Sequence, residues 1–454
     1  MIADLKPYPD YKESGLPWAE RVPSHWHFRR TKVLFGERVQ KGFPNEPLLA
    51  ATQSKGVVKK TDYGERTVTA SKDFHLLKLV EPGDFVISLR SFQGGLEIAH
   101  CRGIISPAYT ILKPRHEARR EYFKQFFKSP GFIDSLTLFV TGIREGQNID
   151  YERLSRAYLP VPPADEQEAI GRFLNHWNGR LEKAIRSKRR VIALLQEQKQ
   201  AIIHRAVTRG LDPNVKLKDS GIPWLGQTPE HWETMPNRAN LKIRKQQVGE
   251  RSSEYTLLSL TMRGVIARDM DNPTGKFPAE FNTYQEVLPG DLIFCLFDID
   301  ETPRGVGISR LNGMITGAYT VFEPRNPEIA EFLYLHYLAM DEEKCLKPLY
   351  TGLRKTIPKP RFLGIKTPIP PPDERIAIVN HIKEETCRIE TIIARYEREI
   401  ALLREYRTRL TADVVTGKLD VRTAAAQLPE EAAEESLPDH ELPEEEPELE
   451  EVEG

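Results

Sequence analysis

Residues 11–26, YKESGLPWAERVPSHW, return as LKDSGIPWLGQTPEHW at 217–232. The duplication runs on in the same order: EPGDFVISL and LPGDLIFCL, GIISPAYTILKPR and GMITGAYTVFEPR, FVTGIR and LYTGLR. PPADEQEAIGRFLNHW (162–177) realigns with PPPDERIAIVNHIKEE (370–385), and both stay in register to TRGLD (208–212) and TGKLD (416–420). A period near 208 residues is far too long for a solenoid of supersecondary units. Each copy is domain-sized, so the chain is a tandem of two similar modules. Such a chain can hold two similar binding surfaces at a fixed separation.

The net charge of −1 hides an uneven distribution. No Lys or Arg follows Arg422, while thirteen Asp or Glu lie between Glu430 and Glu453. Without those thirteen the body holds 65 basic and 53 acidic residues, a surplus of twelve, which suits a polyanionic partner. The acidic, Pro-interrupted tail is expected to be disordered, either as a solubilising segment or as a competitor of nucleic acid for the basic body. No run approaches 18 apolar residues, and MIADLKPYPDYKES has no apolar signal core, so a cytoplasmic protein is expected. Cys101, Cys295, Cys345 and Cys387 are scattered without a CxxC pair, which predicts reduced thiols and no metal.

The expected fold class is α+β, a pseudo-twofold tandem of mixed domains and long helices. Short β-type runs and turn signals mark 1–161 as the first globular domain, and 211–369 repeats it. Residues 162–210 and 370–418 are the two long helices, and 419–454 is the tail. Each helix opens with proline and acids (Pro163, Asp165, Glu166; Pro372, Asp373, Glu374) and stops near a glycine, Gly210 or Gly417.

A heptad runs along each helix. In the first, Ile170, Trp177, Ala184, Val191 and Gln198 fill one position; Leu174, Leu181, Lys188, Leu195 and Ile202 fill the other. In the second the sets are Ile378, Glu385, Ile392, Glu399 and Tyr406, then Ile382, Ile389, Tyr396, Leu403 and Leu410. An apolar stripe needs a partner, and the twin helix, running antiparallel, is the expected one. Lys188 then either meets Glu399 across the seam or reaches solvent. Because LKDSGIPW after the first helix repeats the YKESGLPW that opens the chain, the layout is expected to be circular.

Catalytic signatures are missing from the sequence. There is no Walker A pattern, and no Asn-Pro-Pro-Tyr or Asp-Pro-Pro-Tyr segment for holding a flipped base. The glycines at 94–96 and 305–307 mark turns. A nuclease-like set could be drawn from Asp84 or Asp291 with Glu342 and Lys344, but Pro-Gly-Asp has a simpler role as a turn feeding a strand. His25 and His231 lie beside Trp26 and Trp232, where packing is expected over proton transfer.

The two SG(L/I)PW…PxHW openings, the GGLxIA…GIxSPAYT segment, the TGxR segments and the PPxDE lead into a long helix resemble the DNA-specificity subunit of Type I restriction–modification systems. The resemblance spans nearly all of 10–421. It implies two target-recognition domains, each reading half of a bipartite, interrupted DNA site, with the helices as an antiparallel spacer. It also implies two docked modification methyltransferase subunits and restriction subunits for translocation and cleavage. S-adenosylmethionine, ATP and Mg would sit on those partners, with no cofactor and no catalysis in this chain. The alternative is a coiled-coil scaffold for partner proteins that does not read DNA. One departure is that TGIREGQNI (141–149) shortens to TGLRKTI (351–357), so Gln147 and Asn148 lack clear counterparts.

Reading DNA requires Arg and Lys on phosphates and a few Arg, Asn or Gln on base edges. Candidates in the first module are Lys55, Lys59, Lys60, Arg66, Arg90, Gln93 and Arg144. In the second they are Arg263, Arg268, Arg304, Arg310, Arg354 and Lys355. Lys55 with Arg263, and Arg144 with Arg354, occupy equivalent places in the two copies.

Overall fold

The computed structural model describes residues 5–53, 55–62, 73–89, 91–141, 148–268, 281–298, 302–352 and 355–429. The chain divides into two compact units, Met1–Ile185 with Ile400–Gly454, and Arg186–Glu399. This division cuts across the five consecutive segments expected from sequence, because helix one (Ala164–Arg209) and helix two (Pro372–Val415) are each shared between units. Each unit therefore holds one globular module, the opening of the helix that follows it, and the end of the other helix.

Both modules are built alike. The first has a four-stranded antiparallel sheet in the order Phe35–Glu37, Thr110–Pro114, Phe85–Ile87, Glu97–Ile98. The second repeats it as Leu241–Ile243, Thr320–Pro324, Leu292–Phe294, Val306–Ile308. Among its other ladders each module carries a hairpin beside this sheet, Leu49–Thr52 with Gly56–Lys59, or Leu258–Thr261 with Gly264–Ala267. The strands entering and leaving each module pair with one another, His27–Arg30 with Tyr158–Val161 and Glu233–Pro236 with Lys366–Ile369. The module thus returns the chain to its own doorway before the long helix starts.

The Pro-Gly-Asp turns show why the sheets repeat so closely. Gly83 and Gly290 take φ of +87° and +92°, a region open to glycine. The next residue closes the turn: Asp84 Oδ2 accepts from the Glu81 N–H at 2.9 Å, and Asp291 Oδ2 from the Leu288 N–H at 2.8 Å. Each buried carboxylate is also gripped by the arginine that follows the sheet's edge strand, Arg38 Nε at 2.7 Å and Arg244 Nε at 2.7 Å. Burial raises the Asp291 carboxyl and the Arg244 contacts oppose it.

The helices pack within each unit. In the first, Ile170, Phe173 and Leu174 of helix one share a core with Leu410, Val414 and Val415 of helix two, around Trp26 and Tyr122. In the second, Ile203, Ala206 and Val207 meet Ile378, Val379 and Ile382 around Trp232. A fully buried aliphatic side chain contributes roughly 1.5–3 kcal/mol, so these contacts anchor the module to both helices. Lys188 meets Glu399 at 2.5 Å and Lys199 meets Glu390 at 2.5 Å within the second unit. Advancing along one helix thus retreats along the other, an antiparallel contact. Arg407 and Glu182 pair at 2.6 Å in the first unit.

The heptad read from sequence changes phase. The second position stays inward throughout: Leu174, Leu181, Lys188, Leu195 and Ile202, then Ile382, Ile389, Tyr396, Leu403 and Leu410, are all buried or half-buried. At the first position Ile170, Trp177 and Ile378 are likewise buried or half-buried, whereas Val191 and Ile392 stand 37% and 43% exposed. Ile192 and Ile393 are half-buried in their stead. The inward spacing steps four and four at 177–181–185 and again at 385–389–393. Such a stutter locally unwinds the supercoil, because 3.6 residues per turn do not fit seven evenly. It falls at the same place in both copies.

Candidate nucleic-acid interface

The hairpin offers a basic tip in each module. In the first, Thr52 Oγ1 bonds the Gly56 carbonyl at 2.9 Å and accepts the Lys55 N–H at 3.0 Å. In the second, Thr261 Oγ1 bonds the Gly264 carbonyl at 3.0 Å and accepts the Arg263 N–H at 3.1 Å. One threonine device therefore sets Lys55 and Arg263 on equivalent turns, with one residue fewer in the second. Gly56 and Gly264 have φ of +73° and +99°. At the hairpin base the Lys60 N–H bonds Leu48 O at 2.9 Å, and the Arg268 N–H bonds Leu257 O at 2.8 Å. Lys60 and Arg268 are thus a further equivalent pair, visible only once the ladders are aligned. Lys59 is exposed at the end of its strand.

The other candidates scatter. Gln93 is exposed on the one-turn helix Ser91–Gly94. A Cβ on Gly94 would lie 2.7 Å from the Gln53 side chain, so this turn abuts the hairpin tip that carries Lys55. Arg304, 16% exposed at its side chain, faces Glu342 at 3.8 Å, and Arg310 pairs with Glu331. Both lean on the helix Ala330–Glu342. Lys355 has a φ of +43°, and its N–H bonds the Gly352 carbonyl at 3.2 Å. Arg66, Arg90, Arg144 and Arg354 lie outside the described residues, as does Gln147. Asn148 pairs with Thr141 in a short ladder, the place Thr356 takes opposite Thr351 in the second module.

The imagined nuclease set is divided among other partners: Asp84 and Asp291 bind arginines, Glu342 faces Arg304, and Lys344 bonds Asp341 at 2.9 Å. Among the described residues no cluster of three or more His, Cys, Asp or Glu is placed to hold a metal ion, and no helix is long and apolar enough to cross a membrane. Sequence reading missed Arg38 and Arg244, although they occupy equivalent positions in the repeat. It also missed Lys128 and Glu97, which meet beside the hairpin tip at 2.5 Å. Burial pushes the Glu97 carboxyl up to about 7, with Lys128 opposing the rise.

Each module rests on a helix junction made by its Pro-x-His-Trp segment. Glu166, in the first turn of helix one, accepts from His25 Nε2 at 2.8 Å and Trp26 Nε1 at 2.7 Å. Glu374 of helix two accepts from His231 Nε2 at 2.7 Å. The glycines that end the helices, Gly417 at φ +75° and Gly210 at φ +72°, press on the same tryptophans. A Cβ on Gly417 would lie 3.0 Å from Trp26 Cη2, and one on Gly210 would lie 3.5 Å from Trp232 Cζ2. The histidines therefore bind a helix-opening carboxylate, which goes beyond the packing role expected for them.

Two copies of one sheet module, each with a basic hairpin and each seated where one long helix opens and the other ends, define a class of internally duplicated chains. By sequence, this chain is similar to a specificity subunit of a type I restriction enzyme. It is 23% identical over 326 residues to a putative type I restriction enzyme specificity subunit, MjaX, of Methanocaldococcus jannaschii, covering 70% of this chain and 69% of that one. A solved chain from work on complex assembly and conformational transition of the type I R-M system shares the fold at a TM-score of 0.58, 15% identity, 88% coverage of this chain and 99% of the other. The HsdS subunit from Thermoanaerobacter tengcongensis aligns at a TM-score of 0.44 with 14% identity, over 88% of this chain and 98% of its own. No protein-family model matches the sequence.

Proposed function

We propose that this chain is the DNA-specificity subunit of a type I restriction–modification complex, acting in the cytoplasm. Each module reads one half of a bipartite, interrupted target, and the paired long helices set the spacing between halves. Two modification methyltransferase subunits dock on the assembly with S-adenosylmethionine, and restriction subunits bring ATP and Mg. The chain itself recognises DNA and does no chemistry.

The observation that carries this reading is the equivalent pair of hairpin tips. One threonine-closed frame presents Lys55 in one module and Arg263 in the other, on turns of different length. A shared frame with divergent tips is what two different half-sites require, because backbone contacts position the protein while loop side chains specify bases.

The test is fluorescence anisotropy on duplex DNA over a salt series. Affinity should fall steeply as salt rises, through counterion release. No binding at low salt, with or without methyltransferase subunits, would favour a protein scaffold instead. The purified chain alone should transfer no label from S-adenosylmethionine. Inserting one heptad into each long helix should lengthen the unread spacer and leave both half-sites unchanged.

A further inference from the structure

Lys128 lies at the break between the helices Arg120–Phe126 and Pro130–Leu136. Its ammonium has three donors and uses all of them on different parts of the module. It bonds the Gln53 carbonyl at 3.2 Å, the Gly94 carbonyl at 2.9 Å and the Glu97 carboxylate. Gln53 belongs to the hairpin tip that carries Lys55, Gly94 ends the turn that carries Gln93, and Glu97 is a buried strand residue. The backbone leaves no slack here, since a Cβ on Gly95 would lie 2.0 Å from Phe127 O. One cation thus ties two candidate DNA-contacting turns to the helical layer beneath them.

The second module has a tie of the same chemistry with its parts exchanged. Lys344 Nζ bonds Thr302 O at 3.0 Å and Asp341 Oδ1 at 2.9 Å, while Asp341 Oδ2 accepts the Gly305 N–H at 2.6 Å. Here the carboxylate sits on the helix Ala330–Glu342; in the first module it sits on the strand. Among the described residues, the side chains of Lys344 and Asp341 bond each other and the segment before Val306, and the hairpin tip with Arg263 is not among their partners.

We propose that the Lys128–Glu97 pair positions the reading loops of the first module, holding the Lys55 tip and the Gln93 turn in one fixed relation so that they engage a single half-site. The inference rests on the DNA-reading function proposed above. Lys128 spends its hydrogen bonds inside the protein; its effect on DNA passes through the two turns it fixes.

The experiment is selection of bound duplexes from a random-sequence library, followed by sequencing. The full chain is used with its methyltransferase subunits, as wild type and as Lys128→Met, Lys128→Arg and Glu97→Gln. A two-part motif enriched by the wild type is the condition on the function; if none is enriched, that reading fails and the loop inference falls with it. Given such a motif, Lys128→Met should lower base discrimination about tenfold in one half only, within the range that a lost base contact spans. The other half should keep its preference, and Lys128→Arg should restore most of the loss. Glu97→Gln, which keeps an acceptor for the ammonium, should lie between. An unchanged motif in Lys128→Met overturns the proposal. So does equal weakening of both halves, because the pair would then serve the fold alone. If Lys128→Met does not fold, Glu97→Gln and Lys128→Arg decide by the same criterion: any loss must fall in one half.

Discussion

The two Pro-x-His-Trp junctions are the same motif in different surroundings. Glu166 is 2% exposed and takes hydrogen bonds from His25, Trp26 and Tyr8. Glu374 is 28% exposed at its side chain and takes one from His231, while the buried Trp232 Nε1 finds no partner. The difference lies in which segments meet each carboxylate. In the second unit the segment after Gly210 runs on into the module. In the first, two separate segments meet there: the Asp420 N–H bonds Lys6 O at 2.8 Å, and Tyr8 brings a hydroxyl that the other copy lacks. The Tyr8 hydroxyl thus adds a donor to Glu166, which is buried. The lesson is that equal sequence motifs carry unequal energies once their solvent exposure differs.

Glu166→Ala tests that contrast most severely. It strands three donors, one of them the buried Trp26 indole N–H, and should destabilise the first unit by about 3 kcal/mol. Glu374→Ala removes a partly solvated acceptor and should cost about 1 kcal/mol or less. Urea unfolding with unit-resolved hydrogen exchange measures both. Equal losses would mean that the two junctions are energetically alike and that burial of Glu166 is of no consequence.

A finer version exchanges only the indole. Trp26→Phe discards a satisfied N–H and leaves Glu166 short of a donor, whereas Trp232→Phe discards an N–H that has no partner. The polar part of the difference should be about 1 kcal/mol in favour of the Trp232 variant. If Trp232→Phe is as damaging as Trp26→Phe, the unpaired indole is in fact satisfied in solution.

Glu97 allows a comparison by pH. Its folded value of about 7 lies above its ordinary 4.5, so the folded protein keeps a proton that the unfolded chain releases across that interval. The stability this brings is complete below about 4.5 and is lost as pH climbs through about 7. Glu97→Gln should flatten that slope in the first unit and leave the second unit unaffected. Parallel pH curves for the variant and the wild type would show that Glu97 titrates normally.

What was legible in the sequence followed the repeat. Modules, helix openings such as Pro163-Ala164-Asp165-Glu166, glycine stops and the pairing of Lys55 with Arg263 all show as like residues in like places. What stayed hidden was whatever the two copies do differently, or do through buried partners far apart in sequence. Lys128–Glu97 and Lys344–Asp341 exchange the element that bears the carboxylate, so aligning the copies conceals them. Arg38 and Arg244 align well, but nothing in a linear reading says that an arginine will reach a carboxylate 46 or 47 residues later. The candidate arginines Arg66, Arg90, Arg144 and Arg354 lie outside the described residues.

The smallest expected effect concerns the helices, where a strict heptad and the structure part company. A fixed seven-residue repeat puts Ile392 beside Ile389 in the seam; the stutter turns Ile392 out to 43% exposure and leaves Ile389 at 5%. Ile392→Lys should then change stability by no more than about 0.5 kcal/mol, as should Val191→Lys, the other exposed position of the strict heptad in helix one. Ile389→Ala, by contrast, empties a packed site and should cost about 2–4 kcal/mol. If Ile392→Lys proves as costly as Ile389→Ala, Ile392 is covered in the assembled complex or the repeat runs unbroken. Measuring the chain alone and then with its methyltransferase subunits separates those cases, since only a covering partner makes the cost depend on its presence. A cost that appears with the partner and vanishes without it would mark the outward stripe at Val191 and Ile392 as a docking face.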